Sequence, residues 1–239
     1  MAKWLNLTFN YDANAMLYPS NLDFLVALSK NNNREWFNAH KAEFEREQTH
    51  IVAFADEILA NLNQHDVIET PSGKKSLYRI YRDVRFSKDK TPYQSYWGGG
   101  FRRAGKFRRG GYYFHLEKGN SLLAGGFWGP NAKDLKRIRE DIALDDNILR
   151  EIISSPSFTE NFGKLEGSQL KIAPNGFDPR HPAIDLLKYK QYLLSKRFSD
   201  EEVVSENFVE KVDHTFKAMR PFFNYMSNVL TTDLNGEEI

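Results

Sequence analysis

No cysteine occurs in the 239 residues. Disulfides, thiolate metal sites, iron–sulfur clusters and a thiol nucleophile are therefore excluded, and a reducing compartment is a natural home. Long apolar runs are also missing. Nothing approaches the ~18 consecutive apolar residues of a membrane span. The first stretch, MAKWLNLTFNYDANAMLYP, has no unbroken apolar segment of the kind a secretory signal needs. The expectation is a cytoplasmic protein with no membrane partner. SKDKTPY (87–93) lacks the glycine spacing of a phosphate-binding P-loop, which excludes that motif.

Apolar residues make up 41% of the chain and aromatics 14%, enough to fill a core and too much for a disordered segment. The net charge of +1 conceals an asymmetry. Between Lys74 and Arg109 stand 12 Lys/Arg and 2 Asp/Glu, a local +10, so the other residues sum to −9. Concentrated charge of one sign creates a local potential that attracts anions.

Hydrophobic periodicity divides the chain into three zones. Residues 1–19 read as an irregular lead-in. Ser20 and Asp23 have capping-box spacing ahead of a helix carrying Leu22, Leu25 and Leu28. Asn31–Asn33 ends that helix and caps a long one to about residue 64. The period then changes to two. Leu77–Phe86, Tyr96–Arg103, Gly111–Glu117 and Ser121–Trp128 read as strands, with short turns that favour an antiparallel meander. Ten of the fifteen glycines fall in 98–129, which calls for bulges and turns or for room for a ligand.

Helical period returns after Pro130. Caps are expected at Asn131 and Ser157, with a further helix over 145–154. A short strand over Leu170–Ala173, a helix from His181 to about Lys190, a capped start at Ser199 and two closing helices around Pro221 complete the order. The tail, 232–239, is acidic and expected to be flexible. The fold class is α+β: a central antiparallel sheet of about four or five strands packed by N- and C-terminal helices, in one domain over 20–231.

Five stretches, NNNREWFNAHK (31–41), RIYRDVRFSKDKTPYQ (79–94), GYYFHLEKG (111–119), GGFWGP (125–130) and APNGFDPRHPAIDLLKYKQY (173–192), resemble a widespread bacterial and fungal family known as domain of unknown function 2461. The resemblance runs from Tyr18 to about Leu230. It implies one full-length unit and carries no catalytic assignment.

The candidate site starts from RIYRDVRFSKDKTPYQ. On a strand, Arg79, Asp83 and Arg85 share a face with Tyr81, neighbouring side chains lying ~7 Å apart. Two guanidiniums at that spacing suit one phosphate or carboxylate, with Asp83 orienting their forks. A following turn presents Lys88, Lys90 and the Thr91 hydroxyl. Arg82, on the face with Tyr78, Ile80, Val84 and Phe86, is expected to be buried and therefore paired. Arg180, in DPRHP, is a second cation ahead of a helix. His115 and Glu117 lie two apart on a strand with Tyr113, and form the acid–base candidate. No cofactor is indicated and no metal site is expected: the H-x-E spelling of the zinc deaminases comes without their cysteine ligands.

The leading reading is a basic site for a small anionic ligand bearing phosphate or carboxylate, with or without proton transfer. The alternatives are single-stranded nucleic acid held by the basic–aromatic hairpin 98–114 and an acidic protein partner. A pI of 7.9 lies below that of dedicated nucleic-acid domains.

Overall fold

The structure, a computed structural model, describes residues 15–105 and 109–232. Helix α1 (Pro19–Lys30) starts ahead of the expected cap. Asn21 accepts a hydrogen bond from the Tyr18 amide at 2.7 Å, and Pro19 presets φ in the first turn. Ser20 donates instead to Glu47. Asn33 behaves as expected and caps α2 (Arg34–Ala39) through the Trp36 amide. The long helix is interrupted at His40, whose backbone leaves the helical region while its Nδ1 sits 2.8 Å from the Trp36 carbonyl. Helix α3 (Lys41–Leu62) follows, then the short α4 (Gly73–Ser76).

The three strands β1 (Trp97–Arg102), β2 (Gly111–Leu116) and β3 (Ser121–Phe127) lie where the alternation puts them, each within a residue. The fourth is not Leu77–Phe86. It is β4 (Tyr192–Phe198), and the sheet is antiparallel in the order β1-β2-β3-β4. One side-chain row crosses it through Gly98, His115, Leu122 and Arg197; the next holds Gly100, Tyr113, Ala124 and Ser195.

Between β3 and β4 run α5 (Ala132–Leu144), α6 (Asn147–Ser154), α7 (Pro156–Phe162) and the one-turn α8 (Ile184–Leu187). Asn131 caps α5 as expected, whereas α7 is capped by Ser155, not Ser157. Leu170–Ala173 forms no strand. The helix expected to reach Lys190 stops at Leu187, because the backbone after it pairs with another segment: Leu170 N donates to Lys188 O, and Lys190 N to Ser168 O.

Ser199 and Glu202 form the expected capping box for α9 (Asp200–Val203). The two closing helices are a single one, α10 (Phe208–Thr231), with Pro221 inside it. An interior proline costs about 3 kcal/mol. The burial of Phe216, Met219, Phe222, Phe223 and Met226 along the same helix outweighs that, at about 1.5–3 kcal/mol for each side chain. Residues 1–14 of the lead-in and 233–239 of the acidic tail lie outside the described residues.

The sheet's inner face forms the core with α3 and α10. Phe54 of α3 meets Phe114 edge-on, and Tyr112 packs against Phe216 and Phe223 of α10. Here the glycine cluster finds its reason. A Cβ on Gly99 would lie 2.5 Å from the Phe114 ring, and one on Gly125 would lie 2.5 Å from Phe223. On the outer face Tyr96 covers Gly98 and Tyr78 covers Gly100. Aromatic rings of the protein itself fill the room the glycines leave.

Candidate functional site

Residues 77–96 form an arm that leads into β1 and folds back on itself, not a strand. Single bridges join Leu77 to Gly99 and Tyr81 to Tyr93, and the pairing slips by two residues between them. The backbone bonds that remain, Tyr78 N to Gly98 O on one side of the slip and Gln94 N to Ile80 O and Arg82 N to Pro92 O on the other, form no single register, so the expected faces fail. Ile80 is buried, but Tyr78 is exposed and Phe86 is 96% exposed.

The cations of the arm mostly serve the arm itself. Arg82 is half-buried, not buried as expected, and donates to Asp89, Thr91 Oγ1 and the Thr91 carbonyl, so it is paired. Arg85 forms a fork with Asp83, Nε to Oδ1 at 2.9 Å and NH2 to Oδ2 at 2.6 Å. Lys90 Nζ donates to the Val84 carbonyl at 2.9 Å. Asp89 accepts from the Thr91 amide and from Arg82, and these bonds hold its carboxyl down to about 2. Arg79 and Lys88 are exposed and form no ion pair among the described residues. Tyr81 packs on Phe37 and Tyr93. Arg180 folds back on Asp178 in its own turn, and no hydrogen bond among the described residues joins it to the arm.

The hairpin 98–114 is also largely committed. Arg103 is fully buried and pairs with Asp66 at 2.6 Å, Asn224 and the Arg109 carbonyl, while Arg109 itself pairs with Asp134. Phe101, Tyr112 and Phe114 belong to the core. Lys106 and Arg108 lie outside the described residues. Arg102 and Tyr113 face outward.

The densest chemistry sits on the outer face of the sheet. His115 and Glu117 meet as expected from their spacing, with Nε2 3.1 Å from Glu117 Oε2. The other ring nitrogen, Nδ1, lies 3.0 Å from the Tyr113 hydroxyl. Tyr96 stacks on the imidazole at 4.3 Å, and Tyr78 stacks on Tyr113 at 5.7 Å. Asn120 donates to Glu117 Oε2 at 2.7 Å and accepts from Arg197 at 2.6 Å. A continuous chain therefore runs Tyr113–His115–Glu117–Asn120–Arg197.

Environment sets the protonation along this chain. Burial works against the charge of Glu117, but the hydrogen bonds from Asn120 and His115 outweigh it and hold the carboxyl below its ordinary range. An ionised Glu117 accepts from Nε2–H, which leaves Nδ1 as an acceptor for the Tyr113 hydroxyl. Burial pushes the Tyr113 phenol up, so it keeps its proton at neutral pH. The sheet edge and the arm supply what the spacing of His115 and Glu117 could not reveal: Tyr78, Tyr96, Asn120 and Arg197. Asn120 follows Glu117 by three residues in a turn, a local signal. Arg197 depends on β4.

Among the described residues no group of three or more His, Cys, Asp or Glu side chains is placed to hold a metal ion. None of their helices is long and apolar enough to cross a membrane. Comparison with protein families matches residues 20–225 to the one described as "Conserved hypothetical protein (DUF2461)". The chain belongs to the DUF2461 family. No curated protein and no solved structure matches it. The DUF2461 match contains both the arm and the whole chain of side chains from Tyr113 to Arg197.

Proposed function

We propose that the outer face of the sheet binds a small anionic ligand, bearing phosphate or carboxylate, beside the Tyr113–His115–Glu117 chain. The carrying observation is the pair of hydrogen bonds that fixes the imidazole between Tyr113 and Glu117. An imidazole held at both nitrogens has one orientation and one tautomer, which is what proton transfer requires. As Tyr113 passes its proton to Nδ1, Glu117 stabilises the imidazolium, and the phenol oxygen takes a proton from the ligand. Run in reverse, the same chain delivers one. Arg102, four residues along β1 from the Gly98 that pairs with His115, and Arg79, next to Tyr78, add positive potential to this side of the sheet. Asp83, Arg85, Lys90 and Thr91 shape the arm, and Lys88 adds to its potential. Tyr81 anchors it.

Thermal shift against a panel of phosphate, pyrophosphate, sugar phosphates, nucleotides and di- and tricarboxylates tests this at low salt. At 100 times its dissociation constant, a ligand stabilises the native state by about 2.7 kcal/mol. At least one compound is expected to do so with the wild type, and to lose most of the effect in His115→Ala and in Arg102→Ala. A panel without effect, or a shift indifferent to His115→Ala, would end the proposal.

A further inference from the structure

Beyond the end of β3 lies a concave surface, separate from His115. His115 pairs with Leu122, and five residues of strand, about 17 Å, lead from there to Phe127. The cavity measures about 370 Å³ and is lined by Arg109, Gly110, Phe127, Trp128, Asn131 and Asp134, with Gly129 and Pro130 at its rim. Trp128 is 74% exposed, an indole left in water beside a polar recess.

The floor is electrically balanced. Arg109 donates to Asp134 Oδ2, and Asn131 Nδ2 reaches the same oxygen at 3.1 Å. Asp134 Oδ1 accepts no hydrogen bond among the described residues, and Arg109 has N–H groups to spare. An anion there meets the carboxylate of Asp134, and a cation meets the guanidinium of Arg109. A neutral polyol meets neither obstacle. Each of its hydroxyls donates one hydrogen bond and accepts another, so two vicinal hydroxyls match a free carboxylate oxygen beside free guanidinium N–H groups. The ring of a pyranose also has an apolar C–H face, which an exposed indole covers while its edge stays wet. The volume lies at the low end for ligand sites and suits one sugar ring.

We infer that this cavity binds a neutral sugar, one ring face on Trp128 and its hydroxyls between Asp134 and Arg109. Saturation-transfer NMR on the full chain tests the inference. The probes are methyl hexopyranosides and methyl N-acetylhexosaminides, with adenosine and uridine for comparison. At least one glycoside is expected to receive saturation, strongest at the C–H protons of one ring face. Trp128→Ala should weaken its binding at least tenfold and Asp134→Asn several-fold, while Trp128→Phe retains part and His115→Ala changes nothing. Trp128 is exposed, so a matched circular dichroism spectrum is expected for its variants. Wild-type protein that binds no glycoside, glycoside binding unchanged in Trp128→Ala, or saturation of the nucleosides alone would each overturn it.

Discussion

The Asn32 side chain pairs with the backbone of Tyr93 as a neighbouring strand would, its amide donating to the Tyr93 carbonyl at 2.9 Å and its oxygen accepting from the Tyr93 amide at 3.0 Å. With the Phe37 ring stacked on Tyr93 at 4.1 Å, this pair pins the arm to the turn between α1 and α2. Losing both bonds in Asn32→Ala should cost about 1–3 kcal/mol, since two backbone groups lose their partner. Urea unfolding measures the loss. Hydrogen exchange should quicken over 78–94 before it quickens in β2, and uniform exchange would show that the arm is held elsewhere.

The buried pair of Arg103 and Asp66 closes β1 against α10. Truncating one partner strands the other charge in the core, so Asp66→Ala should destabilise by about 3–5 kcal/mol. Replacing both residues with apolar side chains of similar volume should cost much less. Equal losses in the single and double variants would contradict this account.

Two pH windows follow from the buried titratable groups. Burial lowers His65 below 6.5, and the hydrogen bond to Asp213 only partly restores it. Its unfolded form binds the proton more readily, so the stability it contributes is present above about pH 6.5 and lost as pH falls through the lower folded value. Burial opposes the charge of Asp66, but hydrogen bonds from Arg103 and Tyr112 outweigh it and hold the carboxyl below 3.8. That contribution is present above about pH 4 and lost as pH falls further. Melting temperature against pH should fall in two stages, the upper one absent in His65→Gln.

Gly125 faces the Phe223 ring with no space for a methyl group. Gly125→Ala should destabilise by about 1–3 kcal/mol through overpacking. Gly129→Ala, whose Cβ meets nothing within 4 Å, should stay within about 0.5 kcal/mol of wild type. Equal melting temperatures would show that the core yields at Phe223.

Pro221 leaves the Lys217 carbonyl without its helical donor. Pro221→Ala restores the amide, and a gain of about 1–3 kcal/mol is expected in urea unfolding. No gain would mean the helix has bent to satisfy that carbonyl another way.

Much of the fold was legible one residue at a time. The cap at Asn131 and the box at Ser199 and Glu202 are bonds between residues three apart, and β2 alternates buried and half-buried side chains along its length. The pairing of His115 with Glu117 is equally local, a consequence of the two-residue period. Where the structure departs from expectation, a distant partner decided. Leu77–Phe86 alternates like a strand but lacks a matching ladder. β4, its alternation blurred by Lys196 and Arg197, is a strand because β3, 65 to 77 residues earlier, pairs with it.

The amino-acid order alone determined the caps, the periods and the spacing of the acid–base pair, because hydrogen bonds and side-chain direction act within a turn or two of backbone. Only the folded chain decided what each cation faces. Arg103 finds Asp66 and Arg109 finds Asp134, carboxylates from outside 74–109, while Arg82 and Arg85 turn to the two aspartates of the arm itself. Coulomb attraction depends on distance in space, and a sequence records only distance along the chain.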